Sequence, residues 1–166
     1  STLTFTNANW NTPQTVTVAG VDDSLDDGDQ NSTVTVSVND GSTADNNFDS
    51  LADSQVTITT TDNDTSGVAT SVASITVSEA GTTGTFTVVL DTQPTGNVVF
   101  DVSASDTGEA TVDSSSLTFS TGDWDTPQTV TVTGVDDSLD DGDQNSTVTV
   151  AINTGSTADS AYDALS

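Results

Sequence analysis

Apolar residues recur at every second position along much of this chain, in short runs separated by Gly, Asp, Asn, Ser and Thr. A two-residue period places successive side chains on opposite faces of an extended backbone, so it predicts strands with one face toward a core. The runs are Leu3–Phe5, Val16–Val18, Val34–Val38 and Val56–Ile58, then Ile75–Val77, Phe86–Leu90, Val98–Val102, Ala110–Val112, Leu117–Phe119, Val130–Val132 and Val148–Ile152. Helix is expected only as a turn or so over residues 42–51 and 156–165. Trp10 and Trp124, each with a proline three positions later, read as hydrophobic plugs at strand corners.

The pattern repeats. Residues 1–52 match residues 115–166 at an offset of 114, with 37 of 52 positions identical. A period of that size is a whole small domain, which predicts a tandem array. One period carries about seven strands separated by turn signals, the arrangement of an antiparallel β-sandwich. The expected fold is therefore all-β: antiparallel Greek-key, immunoglobulin-like sandwich repeats in tandem. Residues 1–64 hold the later strands of one repeat, and residues 65–166 hold the next repeat without its last strand. Strands from outside this chain, supplied by an adjacent subunit or by the continuing polypeptide of a longer array, are expected to complete both.

Composition narrows the chemistry. The 166 residues include no Lys, Arg, His, Cys or Met and carry a formal charge of −26. Such charge disfavours nucleic acid and anionic membrane surfaces, and it favours cations. Without Cys there are no disulfides or thiolate metal sites. No apolar run approaches a membrane span. Enzymatic function is set aside, because only carboxylate and hydroxyl chemistry is available and no paired-acid motif stands out.

The acids concentrate in one loop present twice. Val21-Asp22-Asp23-Ser24-Leu25-Asp26-Asp27-Gly28-Asp29-Gln30 runs into Asn31–Val36, and the same sixteen residues return unchanged from Val135 to Val150. No basic side chain exists to neutralise these carboxylates, so solvent cations must. A cluster of hard oxygen donors suits Ca²⁺, which takes roughly 6–8 oxygen ligands in flexible geometry. Asp26, Asp29 and Asp143 read as solvated.

Val77-Ser78-Glu79-Ala80-Gly81, the Leu-Thr-Phe…Trp…Thr-Pro-Gln-Thr-Val segment, the acidic Val-Asp-Asp loop and the closing Asp62-Asn63-Asp64 together resemble the Calx-β domain. That domain is the calcium-binding sandwich of sodium–calcium exchangers and of tandem repeats in bacterial surface adhesins. The resemblance implies calcium at one end of each sandwich. It assigns Asp22, Asp23, Asp27, Asp62 and Asp64 in the first copy, and Glu79, Asp106, Asp136, Asp137 and Asp141 in the second. The function it suggests is a calcium-stabilised structural extender of a secreted or cell-surface bacterial adhesin, projecting a binding tip. The alternatives are a segment of an extracellular filament completed by strand exchange with neighbouring copies, and a glycan-binding module.

Overall fold

The structure is a computed structural model that describes residues 1–166. The chain divides into two compact units, one made of Ser1–Asp23 and Asn31–Thr60, the other of Ser24–Gln30 and Thr61–Ser166. Strands dominate, joined by turns, and the only helix is four residues long. An all-β fold is what the two-residue periodicity and the wealth of Thr and Val dictate.

The first unit contains one two-stranded sheet, β1 (Gln30–Val36) with β2 (Ser54–Thr60). Leu3–Phe5 and Val16–Val18, expected as strands, form no ladder. Their counterparts one period later pair with segments that the first unit does not contain, and an extended backbone without a partner has no ladder to join. No residue of this unit is buried, and Trp10 is 71 % exposed.

The second unit is built differently. β3 (Val68–Thr70), β4 (Thr83–Leu90), β8 (Gln128–Gly134) and β6 (Ala110–Val112) form one antiparallel sheet in that order. β7 (Ser116–Phe119), β5 (Val98–Ala104) and β9 (Val148–Ile152) form a second. From β5 onward each strand lies in the sheet opposite to its predecessor. Alternate residues of both sheets enter a single core: Phe86, Val88 and Leu90 from β4, Val98, Phe100 and Val102 from β5, Leu117 and Phe119 from β7, Val130 and Val132 from β8. Phe100 meets Phe119 edge-on, with ring centroids 6.1 Å apart. Trp124 packs against this core, as a corner plug should.

β3 begins just after the stretch 65–67 that reads as a linker; it lies along β4 with Val68 opposite Leu90. Ile75 and Val77, expected as a strand, instead pack on the core without joining a ladder. They do so over two glycines: a Cβ at Gly84 would collide with the Ile75 side chain, and one at Gly134 with the Ser78 backbone.

α1 (Ser160–Asp163) falls within the expected 156–165, whereas residues 42–51 form turns only. The two stretches differ at four positions, with Asn46, Asn47, Phe48 and Ser50 standing where the second has Ser160, Ala161, Tyr162 and Ala164. Asn side chains compete with the backbone for hydrogen bonds, and here Asp45 accepts from both the amide and the side chain of Asn47. Asp159 instead accepts from the amides of Ala161 and Tyr162 and caps the turn. Tyr162, 1 % exposed, then locks the helix by donating from its hydroxyl to the Thr92 carbonyl at 2.8 Å.

Candidate metal centre

The second acidic loop begins where β8 ends. Opposite it, Glu109 precedes β6, whose Ala110 pairs with Gly134, and the Glu109 carbonyl accepts from the Val135 amide at 2.9 Å. Strand pairing therefore fixes Glu109 beside the first residues of the loop. The Ser105–Gly108 turn is held against the loop's far end: the Ser105 amide donates to the Thr147 carbonyl, the Thr147 amide to Ser105 Oγ, and the Asp106 amide to Ser146 Oγ. Within the loop, Asp137 accepts from the Leu139 amide, and Gly142 adopts a φ of 74°, which few residues other than glycine tolerate.

The result is a trio of carboxylates. Oxygens of Glu109, Asp137 and Asp141 all lie within 4.8 Å of one another, and no other three acids of the chain come together in this way. Desolvation pushes the Glu109 carboxyl above its ordinary range, and the charges of Asp141, Asp137, Asp106 and Glu79 push it further. All of those charges are negative and no basic side chain opposes them. Glu79 and Asp141 line one open groove of about 1080 Å³, which also receives Val77, Val148 and Val150.

Of the second-copy residues singled out in the sequence, Asp137 and Asp141 enter the trio, while Glu79 and Asp106 lie close enough to act on Glu109. Asp106 also accepts from the Gly108 amide at 2.9 Å. Asp136 is exposed and outside the trio. Glu109 was missed. The available signal was its residue type, since it is one of only two Glu among 26 acids and stands three positions after Asp106.

The first-copy residues are arranged otherwise. Asp22 and Asp23 belong to the first unit; Asp27, Asp62 and Asp64 belong to the second. Asp62 Oδ2 accepts from the amides of Gly28 at 2.7 Å and Asp27 at 3.0 Å, while Asp62 Oδ1 accepts from the Asp64 amide at 2.8 Å. These bonds hold the Asp62 carboxyl below the usual aspartate range, the Asp64 amide first among them.

Three convergent carboxylates form an oxygen-only donor set that fits a hard divalent cation. Oxygens around an ion bound at roughly 2.3–2.6 Å stand up to about 5 Å apart, which matches the trio. Nitrogen or sulfur donors, which transition metals prefer, are absent. Comparison of the chain with protein-family models, with characterised proteins and with solved structures finds no match.

Proposed function

We propose that the chain is a stretch of a calcium-stabilised array of Calx-β-like sandwich repeats. It would serve as a structural extender in a secreted or cell-surface bacterial adhesin. The observation that carries this reading is the Glu109–Asp137–Asp141 trio, three unneutralised carboxylates held together by strand pairing in a chain without a single basic side chain. The second unit's two sheets around one core support the sandwich, and the 114-residue internal repeat supports the array. Near-identical copies suit a spacer better than a recognition surface, which needs distinctive residues. An ion binding the folded state only would stabilise it by mass action.

Thermal unfolding in excess calcium and in chelator tests the metal. Calcium should raise the melting temperature, and Asp137→Ala combined with Asp141→Ala should remove most of the gain. Asp143→Ala should leave it in place. A melt indifferent to calcium, or one equally sensitive to Asp143→Ala, would rule out the trio as the site.

A second reading, a filament segment completed by strand exchange, draws on the first unit. Phe5, Val16, Val18, Val36 and Val56 are exposed there, although the counterparts of the first three, Phe119, Val130 and Val132, are core residues. β9, the counterpart of β1, has no β2-like neighbour on its outer edge. A copy of β2 from elsewhere would fill that edge by strand addition.

A further inference from the structure

Residues 61–67 lie between β2 and β3, and nothing in their Thr, Asp, Asn, Ser and Gly composition predicts order. They are nonetheless held on two sides. On one side is the end of β4: the Gly67 carbonyl accepts from the Asp91 amide at 2.9 Å, and a Cβ at Gly67 would collide with the Asp91 carboxylate. On the other is the acidic loop Ser24–Gln30, which belongs to the same compact unit.

The contacts between loop and segment run in both directions. Asp62 Oδ2 accepts from the amides of Asp27 and Gly28, and the Asp62 amide donates to Asp29 Oδ1 at 3.0 Å. The Ser66 amide donates to Asp26 Oδ2 at 2.7 Å, and Ser66 is buried. The Gln93 amide, in the turn after β4, donates to the Ser24 carbonyl at 2.7 Å. Loop, segment and turn thus share one set of hydrogen bonds. All but the last join an N–H to a carboxylate, and such bonds are roughly twice as strong as neutral ones. In a chain without basic side chains, backbone N–H groups are the donors these carboxylates have.

We propose that Ser24–Gln30 is a clasp that fixes residues 61–67 and the Gln93 turn without metal, opening and closing as one cooperative piece. Asp62 is the residue on which it closes. Its carboxylate takes two amides of the loop, and its own amide is taken by a third loop residue. Releasing Asp62 frees the middle of the loop, and Ser66 and Gln93 then lose the groups they bond to. This role differs from the cation ligand that the Calx-β resemblance makes of Asp62, and it does not rest on the calcium reading. A connecting stretch left as free coil shortens the reach of an array; a clasped one is not free coil.

Amide hydrogen exchange of the full ¹⁵N-labelled chain in chelator, followed by NMR, tests the clasp. The amides of Asp27, Gly28, Ser66 and Gln93 should be protected together. Asp62→Ala should speed all four by about tenfold or more, the factor that one hydrogen bond to a charged group is worth. Ser66 and Gln93 do not bond to the Asp62 carboxylate, so their release distinguishes a cooperative clasp from separate contacts. The amides of the β4–β8 ladder should keep their wild-type rates and report that the unit stays folded. If they do not, Asp62→Asn, which keeps an acceptor without the charge, takes the place of alanine and should release the same four amides to a smaller extent. Protection that appears only on adding calcium would overturn the proposal and give the segment to the metal. Unprotected amides in the wild type, or release confined to Asp27 and Gly28, would overturn it as well.

Discussion

Replacing Asp159 by alanine should be the most damaging single change to the second unit's polar framework. The side chain is 4 % exposed and its two oxygens accept four hydrogen bonds. Oδ1 takes the amides of Ala161 and Tyr162 at 2.9 and 3.0 Å, capping α1. Oδ2 takes the amide and hydroxyl of Thr95 at 2.6 and 2.8 Å, tying the β4–β5 turn to the helix. Losing an N-cap costs about 0.5–2 kcal/mol, and stranding a buried donor at Thr95 costs about 1–3 kcal/mol more. The sum is about 3 kcal/mol, a large share of a stability that is typically about 5–15 kcal/mol. For a domain of this size each kcal/mol moves the melting temperature by roughly 4–8 °C, so Asp159→Ala should melt about 12–24 °C lower. Asp159→Asn keeps a capping oxygen and should lose roughly half as much. Differential scanning calorimetry of the three proteins at neutral pH decides the matter. An alanine variant that melts within a couple of degrees of wild type, or an asparagine variant as damaged as alanine, would refute the assignment. Burial works to raise the Asp159 carboxyl, yet the bonds from Tyr162, Thr95 and Ala161 outweigh it and hold the group below the ordinary aspartate range. A group depressed in the folded state stabilises above its unfolded pKa, and that contribution is lost as pH falls through the folded one. The gap between wild type and Asp159→Asn should therefore close on acidification.

Glu109 carries the opposite sign: its folded carboxyl is raised, so in chelator its ionisation should lower stability as pH climbs from the ordinary glutamate range through the raised value. Melting temperatures of wild type minus those of Glu109→Gln should fall across that window, and a difference that rises instead would contradict the cluster's electrostatics. The apolar residues exposed in the first unit should drive association of the chain with itself at high concentration. Sedimentation should show association that Val16→Asp with Val18→Asp abolishes; a chain that stays monomeric at every concentration would count against strand exchange.

How much of this was legible in the sequence depends on what each feature needs. The strands of the second unit were readable because Phe86, Val88 and Leu90, or Val98, Phe100 and Val102, meet a complete set of partners, and alternation alone then decides which face is buried. Leu3, Phe5, Val16 and Val18 have the same alternation and form no strands, because pairing is a property of two segments and the pattern describes one. Ile75 and Val77 alternate as well, but Gly84 and Gly134 open a bed on the core where they pack without a ladder. The acidic loop could be singled out because carboxylates crowded without counter-charge must find a cation or repel; Asp137 and Asp141 within it were assigned by the resemblance to the Calx-β domain. Glu109 offered only its rarity as one of two Glu, since its place depends on the pairing of Ala110 with Gly134, and no local pattern encodes that register.

The acidic loop shows most directly that a sequence specifies a shape before it specifies an environment. Sixteen identical residues produce the same glycine turn and the same glutamine-to-carbonyl bond in both places, with φ of 73° and 74°. Around one copy, Asp62, Ser66 and Gln93 take up its amides, carboxylates and carbonyl. Around the other, Glu109 approaches the side chains of Asp137 and Asp141. The two sets of contacts employ different atoms of the loop: backbone N–H and the Asp26 and Asp29 carboxylates in one, the carboxylates equivalent to Asp23 and Asp27 in the other. The loop's sixteen residues are identical in a repeat that varies at 15 of its other 36 positions, so the difference between the two sets of contacts comes from the surroundings and not from the loop.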